Sequence, residues 1–255
     1  MEIIMIKIIA SKTAEEAGIA AAEVIADIVK AKPNAVLGLA TGSSPIGMYK
    51  ELIARYEKGE LSFKNVKTVN LDEYVGLSAD HDQSYAYFMS TNLFDYIDID
   101  KSNTNLPNGL AKDPAAEAAR YDGVIASMGG VDIQVLGIGN NGHIGFNEPS
   151  DHFTYGTNLV DLTDSTIDAN SRFFASRDLV PTQALTMGIG QIMAADKILL
   201  IALGKGKAEI LEKSLFGPVT PNVPASVLRF FKGEVIVCAD DEALSVIREK
   251  HPDAV

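Results

Sequence analysis

Apolar residues fall along this chain in two alternating rhythms. Short, nearly unbroken runs occupy positions 1–9, 35–39, 66–71, 131–136, 197–203 and 235–239, the pattern of strands buried in a sheet. Between them apolar positions recur at helical spacing. Thr13-x-x-Glu16 is a capping-box pattern, followed by Ala17, Ala20, Ala21, Val24, Ile25 and Ile28 along one helix face. A second helix is expected to start near Pro45, which suits a first turn, and to run to about Tyr56. Further helices are expected over 84–94, 113–128, 186–195 and 241–250, with another through Ile210 and Leu211. The 103–107 and 218–224 segments read as turns and loop, and 150–164 as the least regular part of the chain. The run at 1–9 reads as a strand covered on both faces. There is no repeat and no low-complexity linker. Strand–helix alternation predicts an α/β fold: an open, mostly parallel sheet with helices on both faces, Rossmann-like and three-layered.

In such a sheet the loops after the strands share one rim, where ligands bind. Four of these loops carry chemistry. The 137–149 loop packs Gly137, Gly139, Gly142 and Gly145 around Asn140, Asn141, His143, Asn147 and Glu148 before stopping at Pro149. Its G-x-G-x-x-G string is also the dinucleotide fingerprint. That motif needs a helix opening at its glycines, and a run broken through Gly145 to Pro149 does not supply one. The 40–47 loop has the Gly42 to Gly47 spacing of a P-loop, but Met48 and Tyr49 stand where that motif needs Lys and Ser or Thr. Thr41, Gly42, Ser43 and Ser44 therefore offer hydroxyls, N–H groups and a helix start to a phosphate monoester rather than to a triphosphate with magnesium. Asp72 and Glu73 end the third run, as candidates for general-base work. Gly204-Lys205-Gly206-Lys207 ends the fifth, with two lysines at the turn.

Net charge and cysteine content narrow the field. A formal charge of −12 opposes a nucleic-acid surface, which needs clustered Lys and Arg. An acidic chain can still hold a phosphorylated metabolite locally, so an isolated cation such as Arg172 becomes a candidate. No apolar run is long enough for a membrane span, and the first residues lack the pattern of a signal peptide. A single cysteine, Cys238, excludes an intrachain disulfide and suits a reducing cytoplasm. It reads as a small buried hydrophobe. His81, His152 and His251 read as residents of solvated loops, without metal-ligand spacing.

Four stretches together, Leu39 to Pro45, Asn70 to Leu77, Gly137 to Pro149 and Ser171 to Phe174, resemble the glucosamine-6-phosphate deaminase (isomerase) family. The resemblance covers nearly the whole chain, in motif order and spacing, and implies one domain over 1–255 with a candidate mobile lid around 150–175. It implies conversion of D-glucosamine 6-phosphate and water to D-fructose 6-phosphate and ammonia, in amino-sugar catabolism. Asp72 matches the base that moves a proton between C2 and C1. His143 matches the ring-opening residue, Glu148 its acidic partner, and Asn141 a supporting position held by Asp in some relatives. Thr41, Gly42, Ser43, Ser44, Arg172 and Lys207 match the phosphate site. No metal and no organic cofactor are implied. The partner is a small sugar phosphate, not nucleic acid or a membrane, and a homo-oligomer is compatible. Bottom-up chemistry agrees with these roles. Imidazole can take and give a proton near neutral pH, a carboxylate can support its charged form, and Asn141 can orient His143 by hydrogen bonding.

Some relatives are hexamers activated by N-acetylglucosamine 6-phosphate through basic residues after the Glu-Pro motif. Here Asn158 and Val160 lie in that stretch, and no Lys or Arg precedes Arg172, so that activation is expected to be absent. Alternatives at this point are a galactosamine-6-phosphate deaminase, a 6-phosphogluconolactonase, and a non-catalytic sugar-phosphate sensor.

Overall fold

The computed structural model describes residues 5–255. In chain order the strands are β1 (Met5–Ser11), β2 (Val36–Leu39), β3 (Lys67–Asn70), β4 (Asp72–Tyr74), β5 (Thr104–Asn105), β6 (Ile133–Leu136), β7 (Asn158–Asp161), β8 (Gln183–Thr186), β9 (Lys197–Ala202) and β10 (Glu234–Asp240). The α-helices are α1 (Ala14–Ala31), α2 (Ile46–Glu57), α3 (Tyr85–Asn92), α4 (Pro114–Ser127), α5 (Asp164–Asn170), α6 (Ile189–Ile192), α7 (Ala208–Phe216) and α8 (Ser245–Lys250). Seven strands form one sheet in the order β1-β10-β9-β6-β2-β3-β5, and its pairs are all parallel. This is the α/β architecture that the alternation of elements predicts.

The order reverses between β2 and β6. From β2 the chain moves outward through β3 and β5; from β6 it moves outward the other way through β9 and β10. The loops leaving β2 and β6 diverge there and open a crevice. Local chemistry places the helices beneath it. Thr13 caps α1 by accepting from the Glu16 N–H. Pro45 is the N-cap of α2, one residue before the expected first-turn position. The buried Tyr49 hydroxyl donates to the Ala40 carbonyl at 2.6 Å, tying α2 to the start of the loop it supports.

Three expectations are corrected. Met1 to Ile4 lie outside the described residues, and the rest of the first run forms β1, an edge strand rather than one covered on both faces. Lys7 and Ala10 are exposed, while Ile6, Ile8 and Ile9 are half-buried against the core. The stretch 103–107, read as turns, contributes the short edge strand β5. Most consequential, β4, β8 and β7 form a separate antiparallel sheet. It draws β7 from the stretch read as irregular and β8 from 183–186, where only Thr186 falls in a stretch read as entering a helix and the other three positions carry no predicted element. Tyr74 and Ala184 of this sheet join Phe146, Leu162 and Val180 from loops and Ile167 of α5 in a second small core. Cys238 is fully buried, as its apolar context predicts.

Candidate active site

Where the main sheet reverses, a cleft of about 640 Å³ opens. Thr41 to Ser44 line one wall and Gly137 to Asn141, with His143, another. Asp72, Arg172 and Lys207 complete it. Of the residues that the resemblance matches to catalysis or to the phosphate site, only Glu148 does not line the cleft; it stands behind His143.

The 137–149 loop contains no helix, so its G-x-G-x-x-G string lacks the dinucleotide context. Two glycines are needed for the loop's geometry. A Cβ on Gly139 would overlap the His143 ring, so the imidazole rests directly on the glycine backbone. The same two residues are joined by a Gly139 N–H to His143 carbonyl bond of 2.9 Å. Gly145 has φ +57°, a left-handed conformation that favours glycine. A Cβ there would press on Thr186 Oγ1 and reach the Asp72 carboxylate.

His143 Nδ1 lies 3.1 Å from Glu148 Oε1, an ion-pair distance but too oblique to count as a hydrogen bond. Asn141 Nδ2 donates to Glu148 Oε2 at 2.5 Å, and Thr166 Oγ1 donates to Glu148 Oε1 at 2.5 Å. Burial works to raise the Glu148 carboxyl. The His143 contact and the bonds from Thr166 and Asn141 outweigh it and hold the group below its ordinary value. Asn141 bonds the backbone of His143 rather than its ring. Its side chain accepts from the His143 backbone N–H at 3.2 Å and bonds Glu148, so it acts on the carboxylate and not on the imidazole ring.

Asp72 opens β4, paired in register with Thr186 of β8. Thr186 Oγ1 also accepts from the Phe146 N–H at 3.0 Å, so one threonine ties the strand of Asp72 to the loop of His143. Burial, and then the neighbouring Glu73 charge, push the Asp72 carboxyl up to about 8. Glu73 points the opposite way, as strand alternation demands. It accepts the N–H groups of Tyr74, Tyr85 and Ala86 and so caps α3 rather than facing the cleft.

On the wall that carries the two cations, Lys207 Nζ donates to Asn140 Oδ1 at 2.6 Å. Its ammonium is held below its ordinary value by burial and then by Arg172, which shows the two cations converging. Arg172 is exposed and stacks on Phe173 at 4.6 Å. Lys205, by contrast, lies outside the cleft, and its N–H bonds Glu242.

Sequence reasoning passed over Tyr85 and Thr166, and named Asn140 only as part of its loop. Tyr85 lines the cleft, and its hydroxyl is held far above its ordinary value by burial, reinforced by Tyr74 and Asp72. It sits in the first turn of a short helix with nothing local to mark it. Thr166 carried a faint signal as the fourth residue of a Thr-x-x-Thr start. His251 also differs from a solvated-loop reading: it stacks on Phe216 at 4.0 Å and meets Glu212 at 3.0 Å. Among the described residues no three His, Cys, Asp or Glu side chains converge as a metal site would require, and no helix is long and apolar enough to cross a membrane.

Comparison with known proteins accords with this geometry. Residues 10–237 match the model of the family described as glucosamine-6-phosphate isomerases/6-phosphogluconolactonase. A glucosamine-6-phosphate deaminase of Clostridium perfringens strain SM101 is 53% identical over 95% of this chain and 100% of its own length. One from Lachnoclostridium phytofermentans is 56% identical over 86% and 92%. A solved structure, described as a monomeric glucosamine-6-phosphate deaminase, superposes with a TM-score of 0.91 at 47% identity, covering 94% of this chain and 99% of that one. The 6-phosphogluconolactonase of Trypanosoma brucei superposes at 0.74 with 18% identity over 95% and 98%, a likeness of fold alone. The chain belongs to the glucosamine-6-phosphate isomerase/6-phosphogluconolactonase family.

Proposed function

We propose that this chain is an enzyme that converts D-glucosamine 6-phosphate and water to D-fructose 6-phosphate and ammonia. One observation carries the reading: a buried carboxylate with raised proton affinity, Asp72, and an imidazole–carboxylate pair, His143 and Glu148, reach one cleft from different sheets. That is the equipment for two separate proton transfers. The opposite wall supplies an anion grip.

The phosphate rests against the Thr41–Ser44 loop, with the Arg172 fork and the Lys207 point charge closing on it. His143 takes the proton from the C1 hydroxyl and returns one to the ring oxygen, opening the pyranose. Glu148 balances the imidazolium, and Asn141 and Thr166 keep Glu148 anionic. Asp72 then removes the C2 proton and delivers it to C1 through an enediol-type intermediate. Water adds to the resulting C2 imine, and ammonia leaves. A base near neutral proton affinity suits a step that must both take and give a proton. These steps are proton transfers among side chains, substrate and water, so the reading asks for no metal or organic cofactor.

In this reading the whole chain acts as one domain, with 150–175 as a lid over the cleft, in the cytoplasm. The monomeric state of the 47% identical solved relative is the state we expect here; light scattering at the mass of two or more chains would overturn it. Saturation should be hyperbolic and indifferent to N-acetylglucosamine 6-phosphate, because Asn158 and Val160 bring no cation to the stretch after Pro149. A sigmoidal curve relieved by that effector would refute this.

The deciding assay is ammonia release from glucosamine 6-phosphate, with galactosamine 6-phosphate and 6-phosphogluconolactone in parallel. Ammonia and fructose 6-phosphate from the first substrate alone support the reading. Lactone hydrolysis without ammonia would move the chain to the lactonase branch.

A further inference from the structure

Thr166 is the N3 residue of α5. The helix start is already capped, since Thr163 Oγ1 accepts the Thr166 N–H. The helix therefore has no need of a hydroxyl at 166, where a capping box would carry Glu or Gln. Yet Thr166 is buried, at 6% exposure, and its Oγ1 lies 2.5 Å from Glu148 Oε1, across 18 residues of chain. This is the same carboxylate oxygen that faces His143 Nδ1.

Proton accounting gives the contact a direction. A carboxylate can only accept, so the single Thr166 hydroxyl proton goes to Glu148. Thr163 Oγ1 lies 3.1 Å from Thr166 Oγ1 and donates to it. Ser165 Oγ, 3.0 Å from Thr163 Oγ1, then has to donate in turn, because the one Thr163 proton is committed. Ser165 itself lines the cleft. Three hydroxyls thus point the same way and polarise one another toward Glu148. The groups facing that carboxylate are His143, Thr166 and Asn141, so Thr166 supplies one of only two neutral side-chain donors to it among the described residues.

We propose that Thr166 is a positioning residue for ring opening. Its hydroxyl fixes Glu148 Oε1 against His143 and holds the carboxylate in its charged form. It also links that pair to α5, the element that leads directly into Arg172. Thr166 touches no reacting atom in this scheme; it acts through Glu148. The inference rests on the ring-opening roles proposed above for His143 and Glu148.

The test compares wild type, Thr166→Val and Thr166→Ser on glucosamine 6-phosphate, with thermal melting and fructose 6-phosphate binding as checks of folding. Valine keeps the shape and deletes the donor; serine keeps the donor. The expected result is a kcat about tenfold or more lower in the valine variant, the size of one hydrogen bond to a charged group. KM should stay within about twofold, and serine should recover most of kcat. Should valine fail to fold, Thr166→Ala deletes the same hydroxyl and is read in its place. A valine kcat within about twofold of wild type overturns the proposal. So does a serine variant as slow as valine, which would assign the loss to packing, or a change confined to KM, which would make Thr166 a substrate contact. Wild type inactive on glucosamine 6-phosphate would instead refute the proposed function, so the two failures are distinct.

Discussion

The buried base should make this protein less stable as pH rises, and Asp72→Asn should remove that dependence. In the folded protein the Asp72 carboxyl is raised from 3.8 to about 8, by burial first and Glu73 second. In the unfolded chain it returns to its ordinary value. Between those two pH values the native state holds a proton that the unfolded state has released, so unfolding free energy falls with increasing pH. The effect is absent below about pH 4 and complete above about pH 8. At about 1.4 kcal/mol per pH unit, the rise corresponds to a ceiling of about 6 kcal/mol. Water entering the cleft relaxes part of it, so a gap of about 2 kcal/mol or more is expected between the variants at pH 8.5, shrinking toward pH 5. Urea unfolding at both pH values measures it: the Asn variant should have the higher midpoint at pH 8.5 with an unchanged slope. The same variant should have lost turnover while keeping sugar-phosphate binding. A stability gap independent of pH, or of opposite sign, would show that Asp72 is not held protonated by its surroundings. Near-normal turnover would remove it as the base. Stability surrendered at a functional carboxylate is a common trade.

Other variants test separate parts of the cleft. Gly139→Ala puts a methyl where the His143 ring now lies; kcat should fall about a hundredfold, the cost of a displacement near 1 Å, with a stability loss of about 1–3 kcal/mol, and a near-wild-type kcat would show that the ring does not need its present seat. Arg172→Ala should raise KM for glucosamine 6-phosphate about tenfold or more with little change in kcat, since its proposed role is to grip phosphate; a loss confined to kcat would contradict this. His251→Ala removes the stacking on Phe216 and the Glu212 contact, and should lower stability by about 1 kcal/mol without changing kcat; thermal melting and steady-state rates decide both halves.

What could be read from the chain follows from where the information is stored. The runs that became β2, β6, β9 and β10 are largely apolar because a parallel sheet covers both faces, so they declare themselves locally; β3, with Lys67, Thr68 and Asn70, does so less. The loops after them inherit a common rim from topology alone, which is why Thr41 to Ser44, Asp72, His143 and Lys207 could be assigned to one place before any distance was known. The second sheet was hidden for the opposite reason. Its strands are three or four residues long, β7 alternates between half-buried and exposed positions, and β4 meets β8 across more than a hundred residues. Nothing within Asn158 to Asp161 announces a partner. The Asn141 and Thr166 bonds to Glu148 are likewise tertiary: the residue types were visible, but which oxygen each would find was not. Glu73 shows how adjacent acids part company, because strand alternation sends one to the cleft and its neighbour to a helix start.

The pairing of β1 with β10 has a bearing on how the protein is made. Among the described strands β1 is made before the others and hydrogen-bonds only to β10, the one made after them, Met5 beside Glu234 through Ser11 beside Asp240. At roughly 5–20 residues per second, β1 waits about 10–50 s for its neighbour. During that interval an isoleucine-rich edge stands open to other chains, and chain closure of this span is a slow step in itself. Nascent chains that have not yet reached Asp240 should therefore be the species most dependent on chaperones, and loss of β10 should be felt first as aggregation through β1.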